Sequence, residues 1–134
     1  MSMNLTLYQV DAFTNDLFKG NPAAVIFSDL NDPKLMQQIA FENNLSETAF
    51  IFKKDDEYYI RWFAPLCEVD LCGHATLASG FIFFNYIKPE ASEFVVNSKK
   101  NGILKVIKRS NKLFLDFPID DIQVCTETTC LLYT

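Results

Sequence analysis

Histidine is almost missing from this chain: His74 stands alone in 134 residues. The four cysteines, Cys67, Cys72, Cys125 and Cys130, fall in two C-x4-C pairs. With one histidine beside them, those pairs match tetrahedral zinc spacings poorly, so no metal is expected. Positive charge is also short. The net charge of −5 speaks against the dominant basic face that a nucleic-acid partner requires. Long apolar runs are lacking too. The longest, Leu77 to Ile87, is broken by Ser79, Gly80 and Asn85 and is too short to cross a bilayer. No basic segment followed by an apolar one opens the sequence, which argues against a secretory leader. A cytoplasmic location with reduced thiols is the expectation. No internal repeat or low-complexity segment is found.

What the chain has in plenty is apolar material, 49% of its residues, with 13 phenylalanines. That composition and length predict one domain with a substantial core. Leu5 to Phe13 reads as a strand, and "KGNPAAVIF" restarts one after a Gly-Asn-Pro turn. "NDPKLMQQIAFENN" predicts a helix with Asp32 at the N-cap, Pro33 at the first helical position, and an apolar stripe of Leu35, Met36, Ile39 and Ala40. "ETAFIFKK" and "YYIRWFA" are strands around the turn "DDE". "EFVVNSK" and "ILKVIKR" flank Asn101-Gly102, a hairpin signal. "KLFLDFP" is a last strand, ended by Pro118. Gly73 to Ile87 differs from all of these. It has almost no polar face, which predicts a helix buried on every side. The pattern is many strands around one enclosed helix, with an amphipathic helix outside.

His74 falls in the first turn of that enclosed helix. Opening N–H groups have no partner within a helix and favour a negative group. Gly73 lets a ligand approach the backbone closely. The same positive end disfavours imidazolium, leaving a neutral ring able to donate and accept a proton. A capping histidine of purely structural role is the plainer alternative. "NNLSETAF" places Glu47 where a helix ends and an apolar strand begins. A carboxylate bordering the core there suits a base, while a surface glutamate at a strand start is the plainer alternative. Lys99, Lys100, Lys105, Lys108, Arg109 and Lys112 form a basic cluster best read as a solvated hairpin face.

"YQVDAFT", "GNPAAVIF", "NNLSETAF" and "IRWFAPLCEVDLCGHATLAS" occur in the order and spacing of the PhzF-like (phenazine biosynthesis-like) proteins of the diaminopimelate epimerase superfamily. The chain resembles that family from about Leu5 to Pro118. The resemblance implies an α+β fold, a mixed and mostly antiparallel sheet curled around a central buried helix over Gly73 to Ile87. It also implies a cofactor-independent isomerase that moves a proton on a small carboxylate-bearing substrate. Glu47 would be the base and His74 a catalytic substrate contact, with Gly73, Ala75 and Cys72 binding substrate. In the sister epimerases the position of Cys72 is a proton carrier, so a Cys72-dependent epimerase or racemase is a further alternative, set against a small buried thiol at a strand end.

Departures from the family pattern matter as well. Ala64 stands where threonine is usual, and Cys67 occupies a short loop that often carries threonine or valine. Full-length members have a second, similar domain that supplies an aspartate and an oxyanion-type backbone site across a cleft. The expected division is a domain over 1–118 and an atypical tail over 119–134, and the tail does not resemble the second domain. A homodimer, with a second copy in place of the second domain, is therefore expected. The alternative is a shortened, non-catalytic or binding remnant.

Overall fold

The computed structural model describes residues 3–119. Eight strands and two α-helices follow one another as β1 (Tyr8–Ala12), β2 (Asn21–Phe27), α1 (Pro33–Asn43), β3 (Glu47–Lys54), β4 (Glu57–Phe63), β5 (Glu68–Val69), α2 (Gly73–Ile82), β6 (Glu93–Ser98), β7 (Gly102–Arg109) and β8 (Lys112–Asp116). The sheet order is β1-β2-β3-β4-β6-β7-β8, with the short β5 paired to β4. Neighbours run antiparallel except β2 with β3 and β4 with β6. Each parallel pair is joined through a helix, α1 in the first case and α2 in the second, as parallel pairing requires.

The two helices lie on opposite faces of the sheet. Side chains alternate across a strand, and the buried residues follow that period. Val25, Ala49, Ile51, Ile60 and Trp62 join the cluster around α2, while Ile26, Phe50 and Phe63 join Met36 and Ala40 of α1. α2 packs against β1, β2, β3, β7 and β8, so both ends of the strand order reach it. A sheet whose two edges touch one helix must curl around that helix. This is the mixed, mostly antiparallel α+β half-barrel expected above.

Local chemistry explains most boundaries. Asp32 is extended, and its Oδ1 accepts from the Lys34 amide at 3.0 Å, with Pro33 opening the helix. Asn44 ends α1 in the left-handed region, its amide donating to the Ala40 carbonyl. Lys54 pairs with Glu57, leaving Asp55 and Asp56 as a two-residue turn with φ of 50° and 65°. Both positive values match the primed turn that tight hairpins favour. Gly102 pairs with Ser98 at φ 68°, so the Asn101-Gly102 hairpin forms.

Three expectations need correction. β1 is shorter than Leu5–Phe13, because Phe13 turns to φ 64° and leaves the ladder. β5 had no sequence signal, being two residues long. The enclosed helix is not one α-helix to Ile87, nor is it buried on every side. It widens to a π-helical turn over Phe83–Ile87, where the Lys88 amide reaches the Phe83 carbonyl. Asn85 contributes by donating its side-chain amide to the Phe81 carbonyl. Phe83 and Phe84 are buried, while Phe81, Tyr86 and Ile87 are exposed, and Tyr86 stacks on Tyr8. Among the described residues no helix is long and apolar enough to cross a membrane.

Candidate active site

α2 begins at Gly73 with extended Cys72 as its N-cap residue, which puts His74 in the first helical turn. Two buried hydrogen bonds fix this turn. Thr76 Oγ1 donates to the Cys72 carbonyl at 2.6 Å, and Trp62 Nε1 donates to Thr76 Oγ1 at 3.1 Å. The Thr76 amide is also satisfied by Cys72 O. The His74 and Ala75 amides point at Cys72 Sγ, which leaves the Gly73 amide as the helix's opening donor, a setting that favours an anion. Gly73 itself sits over Leu115 and Phe117, where an added Cβ would be 3.8 Å from each.

Glu47 is the first residue of β3, directly opposite Ala23 of β2. The Glu47 and His74 side chains meet, with Glu47 Oε2 3.2 Å from His74 Nε2, and they are 21% and 10% exposed respectively. The pair is close but not aligned as a hydrogen bond, and Oε2 is a buried oxygen with no hydrogen-bond partner among the described residues. Ser46 Oγ lies 3.2 Å from the same His74 nitrogen. On the other side of the ring, Cys72 Sγ lies 3.3 Å from Nδ1. Burial pushes the Cys72 thiol up to about 11, reinforced by the nearby Glu47 charge and opposed by the Ala75 and His74 amides.

Sequence reasoning therefore named residues that do converge. Glu47, Cys72 and His74 have ligand-type atoms within 4.8 Å of one another. Such a trio has the donor chemistry for a soft divalent metal. Yet an imidazole nitrogen binds one metal at a time, and here Cys72 faces Nδ1 while Glu47 faces Nε2. Ala75 is fully buried, so only its backbone could meet a ligand. Ser46 was missed as a site residue. Strand alternation would send it to the face opposite Glu47, but it lies in the turn before β3, where that period does not hold.

Two depressions lie elsewhere and contain neither Glu47 nor His74. One lies between α1 and Pro65-Leu66, the other beside Arg61, Glu68 and Lys100. Lys100 pairs with Asp70 at 2.8 Å and Lys108 donates to the Pro89 carbonyl, so the basic cluster is partly tied to its own surface. Cys67 is exposed in the loop before β5. Cys125 and Cys130 lie outside the described residues.

Comparison with known proteins agrees with this fold. The family profile described as phenazine biosynthesis-like protein matches residues 10–126. An uncharacterized isomerase of Pseudomonas aeruginosa is 46% identical over 132 residues, covering 97% of this chain and 50% of that protein. The crystal structure of a PhzF-family phenazine biosynthesis protein from Enterococcus faecalis superposes with a TM-score of 0.80 at 47% identity, over 84% of this chain and 44% of the other. A predicted epimerase of Pseudomonas aeruginosa, 21% identical, shares the fold with a TM-score of 0.68 over 82% of this chain and 41% of that one. The chain thus spans about half the length of the proteins it matches. With the half-barrel and the paired motifs in place, it belongs to the phenazine biosynthesis-like (PhzF) family.

Proposed function

We propose that this chain provides the Glu47–His74 wall of a PhzF-type isomerase site, which moves a proton on a small carboxylate-bearing substrate without a metal or organic cofactor. The observation that carries this reading is Glu47 Oε2, buried and without a hydrogen-bond partner among the described residues, beside His74 Nε2. A carboxylate oxygen that is shielded from water and free of hydrogen bonds is available as a base. The positive opening end of α2, where the Gly73 amide remains, suits the substrate's carboxylate. His74 would face the carbon framework, stabilising negative charge that develops as the C–H bond breaks. Glu47 would take that proton and return it to another carbon. The raised thiol favours Glu47 over Cys72 as the base, because a thiol ionising at about 11 holds its proton at neutral pH.

A homodimer belongs to the same proposal. The loop between β1 and β2 exposes Phe13, Leu17 and Phe18, at 70%, 78% and 91%. It leads into Asn21 and Pro22, which Ser46 touches beside the site. An apolar loop at that end supports closure by a second copy. A cytoplasmic setting is part of the proposal as well. The rival reading is a non-catalytic or binding remnant.

Proton NMR in deuterium oxide tests the enzyme reading. Small cyclic and unsaturated carboxylates, and amino acids, are incubated with the full chain. At least one is expected to lose a C–H signal faster than with Glu47→Gln. No protein-dependent exchange across the panel would favour the remnant.

A further inference from the structure

The two ring nitrogens of His74 face neighbours of opposite hydrogen-bonding character. Cys72 Sγ lies 3.3 Å from Nδ1. That thiol is buried and stays protonated at neutral pH. The Ala75 and His74 amides point at the sulfur, which leaves S–H for the acceptors beside it, His74 Nδ1 at 3.3 Å and the Glu47 carboxylate. On the far side, Ser46 Oγ lies 3.2 Å from Nε2. A hydroxyl has one proton to give, and the Pro22 carbonyl at 3.3 Å and Asn21 Oδ1 at 3.4 Å are there to accept it. The Ser46 lone pairs then face Nε2. Glu47 Oε2, an acceptor when ionised, is 3.2 Å from the same nitrogen. A donor thus faces Nδ1 and acceptors face Nε2.

We infer that Cys72 and Ser46 are positioning residues that hold His74 in the neutral tautomer with its proton on Nε2. The hydrogen bonds run one way: Cys72 S–H to Nδ1, Nε2–H to Ser46 Oγ, and Ser46 O–H to Pro22 O. The Nε2–H is thereby fixed on the side of the ring that Ser46 Oγ and Glu47 Oε2 share, 3.2 Å from each. Cys72 sets the ring's direction without exchanging protons with a substrate. This inference rests on the Glu47–His74 reading above and assigns each neighbour a separate task within it.

The single histidine makes the test direct, because ring nitrogen signals in 15N-labelled protein can come only from His74. The wild-type spectrum, recorded at about pH 8, is expected to show Nε2 protonated and Nδ1 bare. Cys72→Ala and Ser46→Ala each shift the ring towards a mixture of tautomers, while Cys72→Ser, which keeps a donor, preserves the wild-type pattern. A wild-type ring protonated on Nδ1 overturns the inference, and so does an unchanged tautomer in both alanine variants. Should Cys72→Ala fail to fold, the wild-type spectrum and Ser46→Ala still decide. Glu47-dependent deuterium exchange with an Nδ1–H ring would remove only the positioning roles. An Nε2–H ring with no exchange on any substrate would remove only the enzyme reading.

Discussion

At the scale of single residues, Cys72 and Cys67 should behave as opposites. Cys67 is exposed and Cys72 is buried with its thiol pushed up to about 11. Iodoacetamide at neutral pH is expected to label Cys67 readily and Cys72 only on unfolding, since the thiolate is the nucleophile. Mass spectrometry of the labelled peptides checks this, and rapid native labelling of Cys72 would contradict it. The same thiol makes stability depend on pH. Its folded value lies above the ordinary 9.0, so the folded state holds the proton more tightly than the unfolded chain. That contribution is complete below pH 9.0 and is lost as pH rises towards 11. Urea midpoints of wild type and Cys72→Ala should converge across that window, and a constant difference would refute the assignment. At this scale the sequence was informative where residue type was rare or local context was distinctive. A lone histidine after Cys72-Gly73 and a glutamate at a helix-to-strand junction stood out. Their contact could not be read from spacing, because it depends on β3 lying beside β2 and under the start of α2.

Single elements show where local chemistry wins and where packing overrides it. The cap at Asp32 and the turn at Asp55-Asp56 follow from side-chain and backbone preferences alone. Asp32→Ala should cost about 0.5–2 kcal/mol by loss of the N-cap hydrogen bond, read from thermal unfolding. Gly80 is different, because its role lies wholly in tertiary contact. A Cβ there would lie 2.6 Å from Val106 Cγ1 and 2.8 Å from Val106 Cβ, so α2 approaches β7 too closely for any side chain. Gly80→Ala should therefore destabilise by about 1–3 kcal/mol despite alanine's better helix propensity. Val106→Ala in the same chain should recover part of that loss, and a stabilised Gly80→Ala single variant would contradict the packing. The extent of α2 was misjudged for a related reason. Its composition reads as apolar all round, but composition cannot show that the sheet covers only part of the surface. Phe81, Tyr86 and Ile87 stay exposed because the curled sheet does not close over them.

For the whole molecule, the curled sheet was not derivable from strand signals alone. Eight strands could be counted nearly correctly, yet the two parallel pairings depend on which helix crosses which face. The motif order supplied that arrangement through the family, and the topology agrees with it. The half-barrel brings Glu47 and His74 together at one end and leaves the apolar loop of Phe13, Leu17 and Phe18 exposed there. Light scattering at micromolar concentration is expected to give a dimer. Replacing those three residues together by serine should yield monomer, while a wild-type monomer that stays soluble would contradict the second-copy arrangement.

The proton-moving role of Glu47 is the centre of the functional reading, and one comparison reaches it most directly. Solvent deuterium incorporation into the substrate that exchanges fastest is measured side by side for wild type, Glu47→Asp and Glu47→Gln. The expected order is wild type, then a weakened but measurable Glu47→Asp, with Glu47→Gln lower than wild type by about 10²–10⁴, the usual worth of a positioned general base. Glu47→Gln exchanging as fast as wild type would contradict it.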